Sequence, residues 1–92
     1  MSDRVADDID RSILELTAAR GPRSSISPSE VAIALQPDGK WQSLLTKVRS
    51  RAVALMLEGK IEILRKGKPV EDPEDVRGVI RLRIVQPSPR DL

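Results

Sequence analysis

Between Ser27 and Val85 the sequence sets out a fixed order of elements: a capped helix, a turn, a longer helix and two strand-like runs. The order opens at Ser27-Pro28-Ser29-Glu30. Ser27 suits the N-cap, Pro28 the first helical position, and Glu30 can reach back to complete a capping box. Val31, Ala32 and Leu35 give this short helix one buried face. Gln36 precedes a proline and is biased away from helix, so the helix should stop there. After the turn Pro37-Asp38-Gly39, the longest helix is expected from about Lys40 to Glu58, with Gly59 as its C′ residue. On a helical repeat, Trp41, Leu44, Leu45, Val48, Ala52, Leu55 and Met56 gather on one side.

The two runs that follow are Ile61-Glu62-Ile63-Leu64-Arg65 and Val79-Ile80-Arg81-Leu82-Arg83-Ile84-Val85. Ile61 and Ile63 share one strand face; so do Ile80, Leu82 and Ile84, with Arg81 and Arg83 opposite. This alternation predicts an antiparallel pair with one face on the helices and one toward solvent. The link from Lys66 to Gly78 is far longer than a tight hairpin turn, and Gly67, Pro69 and Pro73 make it an irregular loop. Ahead of Ser27, a first helix is expected from about Asp3 to the Gly21-Pro22 stop, with Val5, Ile9, Ile13, Leu16 and Ala19 as its apolar stripe. Ser24-Ser25-Ile26 is then an extended linker, with Ile26 turned inward beside the ribbon. The whole is α+β, a winged helix of three helices and a two- to three-stranded antiparallel ribbon. One domain is expected over residues 1–85, with a flexible C-terminal tail expected over residues 86–92. Leu45, Val48, Ala52, Leu55, Ile61, Ile63, Ile80 and Leu82 should be buried together, closed on the other side by Ile9, Ile13, Val31 and Leu35.

Composition narrows the function. The chain of 92 residues has no cysteine and no histidine. That removes disulfides, structural zinc, and thiol or imidazole catalysis. No glycine-rich phosphate cradle is present, and the expectation is a protein that is not an enzyme, has no cofactor and takes no small-molecule substrate. No apolar run approaches the ~20 residues that span a bilayer, and the acidic start is wrong for a signal peptide, so a cytoplasmic location without membrane contact is expected. The net charge of +2 is unevenly spread. Residues 1–39 carry four Lys/Arg against seven Asp/Glu, and residues 40–68 carry eight against two. The basic segment would draw anionic partners, although any solvated helix and ribbon need charge.

A family resemblance rests on several stretches. These are Ser27-Pro28-x-Glu30-Val31-Ala32 to Leu35, Trp41-x-x-Leu44-Leu45-x-x-Val48-Arg49, Gly59-x-Ile61-x-Ile63-x-Arg65-Lys66-Gly67-Lys68-Pro69-Val70 and Gly78-x-Ile80-Arg81-Leu82-Arg83. Over about residues 5–85 the sequence resembles a small bacterial winged-helix family of unknown function. The resemblance implies a fold and a bacterial origin, and it supplies no activity and no catalytic residues. Two places depart from the family pattern: Glu71 intervenes before Asp72-Pro73, and Val79 stands where the family has proline. The loop between the strands should therefore differ locally.

The candidate contacts to double-stranded DNA are Lys40, Ser43, Lys47, Ser50 and Arg51 on the long helix, with Lys66 and Lys68 at the base of the wing. If the helix enters a major groove, Ser43, Lys47 and Ser50 are placed for bases and the other cations for phosphates. The exposed face is poor in Asn, Gln and outward Arg, which argues for phosphate contact over base reading. Arg81 and Arg83 could form a phosphate ledge beside Arg65, or simply guard an edge strand. Trp41, the one aromatic residue, is expected to plug the core rather than stack on a base. Glu71, Asp72, Glu74 and Asp75 place negative charge near the wing tip, where it repels DNA. Either these acids fold away onto Arg77 or Arg81, or the ribbon meets a protein. The alternative function is accordingly a protein-interaction module that uses the same fold without DNA contact.

Overall fold

The computed structural model describes residues 4–85. Helix α1 spans Arg4–Arg20, α2 Pro28–Leu35 and α3 Leu45–Leu57; strand β1 spans Ile61–Arg65, β2 Lys68–Pro69 and β3 Arg81–Ile84. The sheet is antiparallel with order β2-β1-β3. Three helices and an open three-stranded sheet make an α+β layout consistent with a winged helix. Within the described residues no helix is long and apolar enough to cross a membrane. The expected tail over 86–92 lies outside the described residues, as does a helix start at Asp3.

Local chemistry accounts for the helix ends. Ser27 is the N-cap of α2: the Glu30 amide donates to its Oγ at 3.3 Å, and the Ser27 amide donates to Glu30 Oε2 at 2.7 Å, completing the capping box. Arg20 donates to the other Glu30 oxygen at 2.8 Å, so the same carboxylate also holds the end of α1. At the end of α3, the Gly59 amide donates to the Met56 carbonyl and the Lys60 amide to the Leu55 carbonyl, both at 3.0 Å. That pair of bonds, with Gly59 at φ 78°, is a Schellman ending.

The long helix begins later than its apolar spacing predicts. Trp41–Leu44 form a 3-10 turn, and α3 starts at Leu45. No side chain caps α3, so nothing at this end fixes an earlier α-helical start. Leu45 and Trp41 are consequently half-buried rather than core, and Leu35 is also half-buried. In α1 the seam is Ile9, Ile13 and Thr17, whereas Val5 and Ala19 face solvent. Thr17 tolerates full burial because its hydroxyl donates to the Ile13 carbonyl at 2.6 Å.

The core joins Ile9, Ile13, Val31, Ala32, Val48, Ala52 and Leu55 of the helices to Ile61, Ile63, Ile80 and Leu82 of the ribbon region. Ile26 completes it from the linker. Its amide donates to the Leu82 carbonyl at 2.8 Å and its carbonyl accepts from Leu82 at 2.7 Å, a one-residue bridge along the outer side of β3. The outer side of β3 is thereby paired at Leu82. Leu64 is buried as well, although it lies on the alternate face from Ile63.

The link between the paired strands departs most from expectation. Arg65 pairs directly with Lys68, so Lys66-Gly67 is a two-residue hairpin turn and the chain folds back at once as β2. Both turn residues have positive φ, 55° and 81°, the signature of a type I′ turn. The remainder contains a 3-10 turn at Pro73–Asp75.

Leu82 is fully buried where helices, linker and sheet meet. Leu82→Ala should cost about 2–5 kcal/mol, against a total of roughly 5–15 kcal/mol for a domain. A urea melt measures it; a midpoint within error of wild type would contradict this packing.

Candidate nucleic-acid interface

Most arginines of the sheet and helices are committed to the fold. Arg51 grips Asp10 of α1 with a two-pronged ion pair, Nε to Oδ1 at 2.8 Å and Nη2 to Oδ2 at 2.7 Å. This hydrogen bond, reinforced by the negative charge of Asp10 and opposed by burial, raises the Arg51 pKa above its ordinary value. Arg49 donates to the Gly78 carbonyl at 3.0 Å and so ties α3 to the base of the wing. Arg83 pairs with Glu62 directly across the two strands at 2.7 Å. Arg81 donates to the Ser25 hydroxyl at 3.0 Å and to the Ser25 carbonyl at 2.8 Å. A ledge of Arg81 and Arg83 beside Arg65 is therefore replaced by two structural contacts.

The remaining sequence candidates fall into two groups. Lys40 and Ser43 sit on the turn before α3, both exposed. The Ser43 hydroxyl donates to the Lys40 carbonyl at 2.8 Å and so steadies that turn. Lys47 and Ser50 lie one helical turn apart on the exposed side of α3. Because α3 starts at Leu45, Lys40 and Ser43 do not extend its face at helical spacing. Arg51 belongs to neither group, since its guanidinium is turned to α1.

Lys66 and Lys68 form the second group, and Arg65 joins them at the β1–β2 turn. Among the described residues these three make no side-chain hydrogen bond and no ion pair. The tight turn compresses three cations into four consecutive residues, with both lysines exposed and Arg65 half-buried. The sequence signal for this turn was Gly67 immediately after Lys66 between strand-like flanks; glycine suits the second position, but lysine is unusual at the first.

The acidic segment does not fold onto Arg77 or Arg81. Arg81 is held by Ser25, and Arg77 makes no ion pair among the described residues. Asp72 caps the 3-10 turn by accepting from the Glu74 amide at 2.9 Å. Glu71, Asp72 and Asp75 line an open hollow of about 590 Å³ that Arg65, Lys66 and Lys68 line too. Charges of both signs thus border one hollow without pairing. Trp41 is half-buried against the core, which accords with a packing role for its ring.

Residues 6–85 match the model of a family described as a protein of unknown function, DUF3253. The chain belongs to that family. No curated protein matches it. Membership extends over both candidate groups, from Lys40 to Lys68, and brings no assigned role for either.

Lysine in the left-handed region is strained, whereas asparagine tolerates it. Lys66→Asn should therefore stabilise the domain by about 0.5–1 kcal/mol. A thermal melt checks this: an unchanged or lower midpoint would contradict the turn assignment.

Proposed function

We propose that this protein is a small, non-enzymatic, transcription-associated protein that binds double-stranded DNA mainly through phosphates. One observation carries the reading: Arg65, Lys66 and Lys68 are concentrated on a tight turn and left without partners, while neighbouring arginines serve the fold. Unpaired cations on a protruding turn gain by displacing counterions from a polyanion. Lys40 and Lys47, at and before the start of α3, would supply further phosphate contacts, with Ser43 and Ser50 within the same exposed region. Lys66 supports the same reading through its backbone, since a strained lysine carries a cost that an anion contact would justify.

A second reading has its own support. Glu71, Glu74 and Asp75 are exposed and make no ion pair among the described residues, which suits a protein partner that contacts the wing without DNA. The two readings separate on salt dependence. Duplex binding through phosphates loses affinity steeply as salt rises, with a log–log slope of about −0.9 per neutralised phosphate.

Anisotropy of a labelled mixed-sequence duplex, titrated at several salt concentrations, tests this. Lys66→Glu with Lys68→Glu should remove about two phosphate contacts and make the slope shallower by about 1.8. Arg51→Met, which removes a contact inside the fold, should leave the slope unchanged. Absence of duplex binding at ~50 mM salt and high micromolar protein would overturn the reading, since nonspecific binders reach ~10⁻⁴–10⁻⁶ M even at higher salt.

A further inference from the structure

The acidic segment is held in place rather than left to wander. Val70 and Val76, at its two ends, pack against the core. Between them Pro73–Asp75 form a 3-10 turn that Asp72 caps, with the Asp75 amide also donating to the Asp72 carbonyl at 2.9 Å. The cationic turn that borders the same hollow is also constrained, by its type I′ backbone and by the Arg65–Lys68 pairing. Two constrained backbone segments therefore border one hollow, and no ion pair among the described residues closes it.

A carboxylate that the backbone keeps near a cation, yet not bonded to it, lowers the local positive potential without occupying the cation's hydrogen-bond donors. Phosphate can still be received, but it meets repulsion from the carboxylates that border the same hollow. From this geometry we infer that Glu71, Asp72 and Asp75 form a built-in electrostatic counterweight to the Arg65–Lys68 turn. It holds down the affinity of that turn for the phosphates it meets. The inference rests on the duplex reading above and adds a location: the effect belongs to the acids that border the hollow, not to net charge.

Glu74 supplies the control, because it lies in the same acidic run but does not line the hollow. The test compares two double variants of the full chain with equal charge change: Glu71→Gln with Asp75→Asn, and Glu74→Gln with Glu15→Gln. Asp72 is left in place because it caps the turn. Duplex anisotropy at ~50 mM salt should show the first variant binding about three- to tenfold tighter than wild type, and the second within about twofold. The gain should shrink toward parity at ~300 mM salt, where screening shortens the reach of the carboxylates to about 6 Å. Equal gains from both variants, or no gain from the first while wild type binds, would overturn the counterweight alone. Absence of binding by all three proteins would overturn the duplex reading and the counterweight together. Melting temperatures close to wild type in both variants exclude a folding effect.

Discussion

The two backbone hydrogen bonds between Ile26 and Leu82 tie the α1–α2 linker to β3 at the point where helices and sheet share one core. They satisfy main-chain groups that would otherwise be buried unpaired, because both residues are almost wholly removed from water. They also pair the outer side of β3 at Leu82. Around that bridge the other contacts take their places. Ser25, next to Ile26, receives Arg81; Ser27, on the other side, caps α2; and Glu30 of that cap receives Arg20 from α1. Three residues of linker thus organise two helix ends and one strand.

Charge on this molecule divides by task. The arginines of α3 and β3 reach carboxylates, carbonyls or a hydroxyl with good geometry, and they fix how the helices and ribbon meet. Arginine suits that work, since its planar fork engages two acceptors at once. The lysines of the β1–β2 turn and Lys40 before α3 stay in water without partners among the described residues. A compact, hydrated, mobile ammonium suits transient contact with phosphate. The proposed function follows from that division more than from the net charge, which is small.

Much of the fold was legible because its signals are local. The capping box at Ser27, the glycine endings at Gly21 and Gly59, and the period-two runs through Ile63 and Leu82 each rest on neighbouring residues. The inward placement of Ile26 was also legible, from the position of its linker. The late start of α3 was not, since the apolar spacing of Trp41 and Leu44 fits a 3-10 turn as readily as a helix. The Lys66-Gly67 turn was hidden by the length of the link and by a lysine where asparagine or aspartate usually signals such a turn. Of the candidate site, Lys66 and Lys68 were found as cations but not as members of one turn. The Arg51–Asp10 pair was not legible, because helix periodicity cannot reveal a carboxylate 41 residues earlier in the chain. The acidic segment was recognised, whereas the hollow it shares with the cationic turn follows from the tight Lys66-Gly67 reversal, which brings residues 65–68 and 71–75 to one place.

The central claim is that the β1–β2 turn, with the exposed residues at and before the start of α3, meets the phosphates of a duplex. Amide chemical-shift mapping of the full chain during titration with a mixed-sequence duplex tests it most directly. The account predicts perturbations concentrated at Arg65–Lys68 and from Lys40 to Ser50, with the α1 seam at Ile9 and Ile13 undisturbed. Perturbations confined to the acidic 3-10 turn or to α1, or none at all, would contradict it.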